Sequence, residues 1–259
     1  MKTEFAGGVD VGSCTTKAVI VDSEKRILAS HIIYSGTDFQ TASIEVWEEC
    51  LRQAGLRGGD VAKVISTGYG RGSVAFATSN LTEISCHGRG CLHFFTGPIT
   101  VVDIGGQDNK VIKLDARGQR VSFKMNRKCA AGTGAFLEEM ALRLRLPIED
   151  MDKLAREADG EVSLGSYCTV FSATEVLEKI KAGHPVNRIV RGVFSSVVKR
   201  IIEMDTLTDT VVLTGGVIEH NTFLAELIQL QTTSPVRMPP HPQITGALGA
   251  ALYALDGAN

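Results

Sequence analysis

The sequence predicts an α/β protein built from two lobes of one design. Apolar strands alternate with amphipathic helices, the chain matches itself at a shift of 93 residues, and a later strand ends in two glycines. In each matched copy an apolar run ends in Asp, followed by Gly and small or polar residues, before a second strand begins. The matched pairs are Asp10 with Asp103, Gly12 with Gly105, Lys17 with Lys110, and Asp22 with Asp115.

A chance likeness between two glycine-turn hairpins is the alternative to a true duplication. The acidic residue, the glycine and the lysine all keep register, however, and this favours duplication. We therefore expect a first lobe over residues 1–97 and a second lobe over residues 98–242. The C-terminal segment, about 243–259, is expected to pack back on the first lobe, because its small residues permit close approach.

Helices are predicted where apolar residues recur with a 3.6-residue period. Ile44, Trp47 and Leu51 mark the first helix, and a second helix opens after residues 132–134. The clearest apolar stripe runs over residues 186–202 and is interpreted as core, not as a cofactor-binding face. After the strand at 210–217 we expect a helix at about 220–230, and a last helix over 245–252.

Composition and charge exclude several classes of protein. There are 27 Lys and Arg against 29 Asp and Glu, a net charge of -2, so no overall basic field favours nucleic acid or an anionic membrane. No stretch reaches the roughly 18 apolar residues of a spanning helix, and no signal-peptide core follows the N-terminus. We expect a cytoplasmic protein with neither nucleic-acid nor membrane partners, whose six cysteines are reduced thiols, metal ligands or buried groups.

Each Asp-containing turn carries the groups that a polyphosphate with Mg²⁺ requires. A carboxylate holds the metal, usually through water, while turn N–H groups, hydroxyls and an ammonium meet the phosphate oxygens. One such turn alone is more often a structural hairpin. A duplicated pair with a later Gly-Gly strand end favours a nucleotide site instead. The sequence has neither a P-loop nor the dinucleotide-binding glycine pattern after a strand.

These three motifs, in this order, resemble the phosphate-1, phosphate-2 and adenosine motifs of the superfamily that includes actin, the Hsp70 chaperones and sugar kinases. The resemblance implies a two-lobed actin-like ATPase fold, built from duplicated ribonuclease-H-like lobes, that closes over ATP or ADP. It also implies that Asp10 and Asp103 hold Mg²⁺ through water and act in catalysis with Gln107. The implied nucleotide contacts are Gly12, Ser13, Cys14, Thr15, Thr16, Lys17, Gly105, Gly106, Asp108, Gly132, Thr133, Gly134, Gly215 and Gly216.

Three further segments narrow the resemblance to one family. Residues 126–138, residues 168–171 and residues 82–90 resemble motifs of the activator ATPases of 2-hydroxyacyl-CoA dehydratases and of related benzoyl-CoA reductase subunits. The resemblance implies a homodimer with one [4Fe-4S] cluster per dimer, held by Cys129 and Cys168 of each subunit. ATP would then drive a low-potential electron into a partner reductase or dehydratase, with reduced ferredoxin or flavodoxin as the electron source.

The residues around the two cysteines are consistent with this interpretation. Cys129 precedes a helix that begins near Thr133, and Cys168 precedes a helix whose start is predicted from the capping pair Ser172 and Glu175. Helix N-termini favour thiolates and anionic clusters. A four-iron cluster needs four thiolates, and two per chain become four only across a two-fold axis. The alternative is that both cysteines are small buried apolar residues.

Several neighbouring residues are assigned lesser roles. Cys86 and Cys91 are interpreted as structural thiols, and Cys14 as a small residue that fits beside the first turn. His87 is expected to be hydrogen-bonded within a loop, although a role as a ligand stays open, and Glu83 is a candidate supporting group near the lobe junction.

The sequence thus favours an ATPase coupled to electron transfer, and two other functions stay open. A small-molecule kinase of the N-acetylglucosamine type would need an aspartate base beside a sugar pocket, for which the sequence suggests no candidate. A non-catalytic nucleotide-sensing module would leave the cysteines purely structural. Bound iron separates the first function from both alternatives.

Overall fold

The computed structural model describes residues 4–126, 129–165 and 168–257, which fold into a mixed α/β structure with two five-stranded sheets. The chain divides into two compact units. Unit 1 comprises the described residues of Met1–Pro98, Leu114–Val121 and Gln243–Asn259, and unit 2 those of Ile99–Lys113 and Ser122–Pro242.

The strands and helices are given by their residue bounds. The strands are β1 (Phe5–Val11), β2 (Thr15–Val21), β3 (Ile27–Tyr34), β4 (Val61–Thr67), β5 (Ser79–Asn80), β6 (Ile99–Ile104), β7 (Asn109–Leu114), β8 (Arg120–Asn126), β9 (Thr210–Thr214) and β10 (Val236–Arg237). The helices are α1 (Phe39–Ala54), α2 (Glu83–Cys91), α3 (Gly134–Leu144), α4 (Met151–Glu157), α5 (Thr169–Lys181), α6 (Val186–Met204), α7 (Gly216–His220), α8 (Phe223–Leu230) and α9 (Thr245–Leu255).

The sheet of unit 1 has the strand order β3-β2-β1-β4-β5 and is covered by helices on both faces. Successive residues of a strand point to opposite faces, and β1 uses two adjacent glycines there. A Cβ on Gly7 would lie 2.3 Å from the Trp47 ring of α1, and a Cβ on Gly8 would lie 2.0 Å from the Ala247 carbonyl oxygen of α9. The absence of both side chains lets the two helices lie directly against the strand.

The sheet of unit 2 has the matching order β10-β9-β6-β7-β8. Its β6 is buried along its whole length. The predicted stripe forms the inner face of α6, where Ile189, Val193, Val197 and Ile201 are fully buried. The expectation that this stripe is core is therefore confirmed.

The helix predicted at about 220–230 is confirmed as α8, and the structure adds a short helix, α7, directly before it. α7 ends at His220 and α8 begins at Phe223. The side-chain amide of Asn221 donates to the Val217 carbonyl oxygen at 2.9 Å, and the Phe223 N–H donates to Asp152 of α4 at 2.8 Å. Both bonds satisfy helix-end groups that a continuous helix would satisfy internally, so the chain can turn between them.

Within the three described ranges, no helix combines the length and apolar character needed to cross a membrane.

Adding one methyl group at Gly8 should destabilise unit 1, because its Cβ would overlap the backbone of α9. We expect Gly8→Ala to lower the free energy of unfolding by about 2–3 kcal/mol, measured by urea denaturation. Gly58→Ala is the matched control, since its Cβ would meet no atom within 4 Å. Equal stability of the two variants would contradict close packing of α9 on β1.

Candidate functional site

The first predicted turn follows β1 and places a buried carboxylate beside a lysine. Asp10 is 5% exposed and pairs in register with Lys17 of β2. The Lys17 Nζ lies 3.5 Å from Asp10 Oδ2. The Gly12 N–H donates to the Thr15 carbonyl oxygen at 3.0 Å, which closes the turn. Because a buried carboxylate is costly without a partner, the lysine stabilises Asp10 at this strand end.

The second turn repeats this arrangement in unit 2. Lys110 Nζ lies 3.2 Å from Asp103 Oδ2 and 2.8 Å from Asp108 Oδ1. The Gly105 N–H donates to the Asp108 carbonyl oxygen at 2.9 Å. Apart from the Asp108 carboxylate, whose position is Thr15 in the first turn, each of these groups stands 93 residues after its counterpart, so the two hairpins share geometry as well as sequence.

The second matched aspartate pair, Asp22 with Asp115, forms a different turn. Asp22 Oδ1 accepts from the N–H groups of Glu24 and Arg26, and Asp115 Oδ1 accepts from the N–H groups at the equivalent positions 117 and 119. These aspartates shape the turn after the second strand of each hairpin. They are turn formers at the far end of the hairpin and do not join the phosphate turns.

A glycine lies beside each carboxylate: sequence reasoning predicted Gly215 as a nucleotide contact but missed its counterpart in unit 1, Gly68. In unit 1, β4 runs parallel to β1 and is followed by Gly68, while in unit 2, β9 runs parallel to β6 and is followed by Gly215. Their φ angles are 91° and 97°. A Cβ would lie 2.4 Å from Asp10 Oδ1 at Gly68 and 2.9 Å from Asp103 Oδ1 at Gly215. The signal was present as two apolar strands that each end in Thr-Gly, at 64–68 and 211–215.

His87 lies in α2 and not in a loop, so that expectation is wrong. The residue is 6% exposed, and its Nδ1 is 3.2 Å from Thr245 Oγ1 of α9. A Cβ on Gly246, the residue after Thr245, would lie 2.8 Å from Asp10 Oδ2 and 3.2 Å from His87 Nε2. The histidine is therefore part of the surroundings of the first carboxylate, a placement that joins three segments distant in sequence.

Cys129 is exposed and stands in a short loop that leads into α3. As predicted, the helix begins after Thr133, which is its N-cap residue. Thr133 donates to the Ala130 carbonyl oxygen through both its N–H, at 3.0 Å, and its Oγ1, at 2.6 Å. The Asn126 amide donates to the Cys129 carbonyl oxygen at 3.2 Å. These bonds order the loop, while Arg127 and Lys128 of the same motif lie outside the described residues.

The start of α3 is also bonded to the second phosphate turn. The Gly134 N–H donates to the Gly105 carbonyl oxygen at 3.0 Å, and the Ala135 N–H donates to the Gly106 carbonyl oxygen at 2.8 Å. A Cβ on Gly134 would lie 3.1 Å from the Gly106 Cα. The segment with Cys129 and the second turn are therefore joined by backbone bonds.

The prediction that Ser172 and Glu175 mark the start of the second cysteine helix is wrong. α5 begins at Thr169, and its N-cap residue is Cys168 itself. Ser172 is already inside the helix, where its N–H donates to the Cys168 carbonyl oxygen at 2.8 Å. Glu175 instead accepts from the Gly165 N–H at 2.9 Å. The tertiary bond to the preceding loop thus replaces the local capping bond.

The cysteines divide into exposed and buried groups. Cys129 and Cys168 are exposed, whereas Cys50, Cys86 and Cys91 are fully buried. Burial of Cys86 and Cys91 is consistent with their interpretation as structural thiols. Burial raises the pKa of Cys50 and of Cys86 to about 12. The alternative that the two motif cysteines are buried apolar residues is therefore wrong.

The helices that follow the two exposed cysteines lie side by side. One cavity of about 510 Å³ is lined by Ala135 and Glu139 of α3 together with Thr169 and Ala173 of α5. Val170 and Phe171, directly after Cys168, are 70% and 67% exposed. The structure therefore packs the helices that follow the two predicted cysteines against one another in unit 2.

In the described part of the chain, no group of three or more His, Cys, Asp or Glu side chains converges as a metal site. Taken within its own unit, each of the carboxylates of Asp10 and Asp103 has a chemistry that suits magnesium, because magnesium sites use one or two carboxylates with phosphates supplying further oxygens. Glycines leave room beside both carboxylates, at 68 and 246 for Asp10 and at 215 for Asp103.

Comparison with known proteins identifies relatives among ATPases and activators of dehydratases. The model of the BadF/BadG/BcrA/BcrD ATPase family matches residues 8–254. The activator of 2-hydroxyisocaproyl-CoA dehydratase from Clostridioides difficile is 39% identical over 98% of this chain and 96% of its own.

Two solved structures confirm the predicted two-lobed ATPase fold. The 2-hydroxyisocaproyl-CoA dehydratase activator from Clostridium difficile with bound ADPNP has a TM-score of 0.91 and 37% identity, covering 98% of this chain and 95% of that one. Component A of the (R)-2-hydroxyglutaryl-CoA dehydratase from Acidaminococcus fermentans has a TM-score of 0.93 and 35% identity, covering 98% of both chains.

Thiol labelling should separate the two groups of cysteines. At about pH 8, well below the raised pKa values of Cys50 and Cys86, those thiols stay protonated and buried, so iodoacetamide should modify them slowly. The exposed Cys129 and Cys168 should react first, as followed by peptide mass spectrometry on iron-free protein. Labelling of all these thiols at one rate after denaturation serves as the control, and equal rates in the native protein would contradict the burial.

Proposed function

The chain belongs to the BadF/BadG/BcrA/BcrD ATPase family, and from this premise we propose that it hydrolyses ATP to drive electron transfer into a partner enzyme. The observation that carries the proposal is the bonding of residues 129–135, a segment that begins at the exposed Cys129, to a phosphate turn within unit 2. A nucleotide-dependent change at that turn has a direct route to the cysteine.

The nucleotide chemistry is assigned to the duplicated turns. Asp10 and Asp103 hold Mg²⁺ through water, and the ion would neutralise charge on the phosphates. The N–H groups and side chains of residues 12–17 and 105–108 bind phosphate oxygens, with Lys17 and Lys110 supplying positive charge. Gln107, exposed in the second turn, is the further catalytic candidate, and Gly215 and Gly216 pass beside the adenosine.

The redox chemistry is assigned to Cys129 and Cys168. When bound, a [4Fe-4S] cluster supplies one-electron transfer at low potential. Both thiols are exposed at the starts of adjacent helices, which suits ligation of a group outside the protein core. Two thiolates per chain supply half of the four required, so we propose one cluster per homodimer, on the two-fold axis.

The exposed side chains beside Cys168 support the proposed dimer. Val170 and Phe171 together with Leu177 form an apolar surface on α5, and all three are at least 47% exposed. Covering such side chains with the same surface of a second copy would remove apolar area from water and stabilise the dimer. The cysteines would meet at the centre of this interface.

The partner is proposed to be a 2-hydroxyacyl-CoA dehydratase or a related cluster-containing reductase. One relative is the activator of 2-hydroxyisocaproyl-CoA dehydratase, and another, a benzoyl-CoA reductase subunit from Thauera aromatica, is 30% identical over 96% of this chain. Reduced ferredoxin or flavodoxin would supply the electron.

Neutralising either site carboxylate should impair ATP hydrolysis without unfolding the chain. Asp10→Asn and Asp103→Asn should each lower the magnesium-dependent turnover at least about tenfold, or about 1.4 kcal/mol of barrier. Asp115→Asn is the matched control, because an amide oxygen can still accept the two turn N–H groups. Wild-type turnover in both site variants would remove these aspartates from the reaction.

Iron content tests the shared cluster. Anaerobically purified protein should contain about two iron atoms per chain, and Cys129→Ser or Cys168→Ser should abolish both the iron and its brown absorbance. Cys91→Ser, at a buried thiol, should retain them. Dimer dissociation, followed by sedimentation, should become easier in the two iron-free variants. Four iron atoms on a monomer, or none at all, would rule out the proposed arrangement.

A further inference from the structure

Asn109 is a buried residue that the nucleotide motif does not include. It is the first residue of β7, directly after the second phosphate turn, and is 0% exposed. Its Nδ2 donates to the Gly132 carbonyl oxygen at 2.9 Å. Its Oδ1 is buried without a hydrogen-bond partner among the residues that the structure describes. A side chain of this kind needs a physical explanation.

The unpaired side-chain oxygen makes asparagine a destabilising residue at position 109. A buried acceptor without a partner has lost its hydrogen bonds to water and gained none in return, which destabilises the fold. Leucine has a similar size and would fill the space without that cost. The group that asparagine adds is the Nδ2 donor, and its acceptor is the Gly132 carbonyl oxygen in the loop of Cys129.

Comparison of the two duplicated hairpins shows that this bond is particular to unit 2. The position equivalent to Asn109 in the first hairpin is Thr16, which is also fully buried. Thr16 Oγ1 lies 2.9 Å from Ser35 Oγ, and Ser35 Oγ donates to the Gly12 carbonyl oxygen at 2.7 Å. These hydrogen bonds therefore lead back to Gly12, in the phosphate turn of the same hairpin. In unit 2 the equivalent side chain instead leaves the hairpin and reaches the cysteine loop.

The acceptor of the bond is itself tightly constrained. Gly132 has a φ of 82°, and a Cβ there would lie 2.9 Å from the Arg200 Cβ of α6. The loop thus passes between α6 and Asn109. Cys129 stands three residues before this point, in a turn whose Ala130 carbonyl oxygen accepts two bonds from Thr133. A shift of the Gly132 carbonyl oxygen would therefore move the cysteine segment as well.

We propose that Asn109 is a positioning residue that makes the placement of Cys129 depend on the nucleotide state of the second phosphate turn. The inference rests on the proposed nucleotide site but not on the cluster. When residues 105–108 move with the phosphates, the start of β7 is displaced. The Asn109 side-chain amide transmits that displacement to the Gly132 carbonyl oxygen. The backbone bonds of Gly134 and Ala135 hold the helix start, while the Asn109 bond acts on the loop itself.

The test measures Cys129 labelling on the full chain, freed of iron by a chelator. Iodoacetamide modification of Cys129 is compared with magnesium and ADP and with magnesium and a non-hydrolysable ATP analogue, with Cys168 as the internal reference. In wild type the two nucleotides should change the Cys129 rate by about threefold or more. In Asn109→Leu and Asn109→Asp, which both remove the donor, the change should fall below about 1.5-fold while ATP turnover stays within about threefold of wild type.

Thr100→Val is the control for loss of a buried polar bond. Thr100 Oγ1 donates to the Thr208 carbonyl oxygen at 2.7 Å in the same unit, so this variant should keep the wild-type nucleotide response. A full response in either folded Asn109 variant, or no response in wild type that binds both nucleotides, would overturn the proposal. Failure of the cluster proposal would show in the iron analysis and leave this test unaffected.

Discussion

A buried carboxylate must be paired to stay charged, and in this protein Asp10 and Asp103 are each paired with a lysine from the neighbouring strand. In the first hairpin, Asp10 and Lys17 stand opposite one another in the register of β1 and β2. A backbone bond donated by Gly12 or Gly105 closes the turn of each hairpin. The nucleotide site depends on this arrangement, since the same carboxylates that the lysines hold are the ones proposed to hold Mg²⁺.

The space around these carboxylates is created by residues without side chains. Gly68 and Gly246 leave room at Asp10, and Gly215 leaves room at Asp103. In unit 1 this requirement extends into the core, where Gly8 lets α9 lie against β1 and so brings Gly246 and Thr245 toward the site. Packing of α9 on β1 therefore also positions residues around Asp10. It places Thr245 within hydrogen-bond distance of His87.

The two units share one architecture but use it differently. In unit 1 the buried side chain after the turn, Thr16, bonds within its own sheet. In unit 2 the equivalent Asn109 bonds to the loop of Cys129, and the turn backbone bonds to the start of α3. Duplication thus provides two similar turns, and in unit 2 both the Asn109 amide and the turn backbone bond to the segment that follows the exposed Cys129. The proposed link between ATP and electron transfer needs such an asymmetry.

The sequence alone determined the features that rest on local order: the duplicated Asp, Gly and Lys, the helical stripe over 186–202, the glycine strand end at 215, and the two cysteines before helices. Each is set by spacing along a single segment. The local prediction was wrong at Ser172 and Glu175, because Glu175 bonds to a distant loop N–H and Cys168 becomes the cap. Gly68, His87, Gly246 and Asn109 could be placed only by the tertiary structure. Their contacts join segments 23 to 236 residues apart, and no periodic pattern records which distant segment a buried side chain will meet.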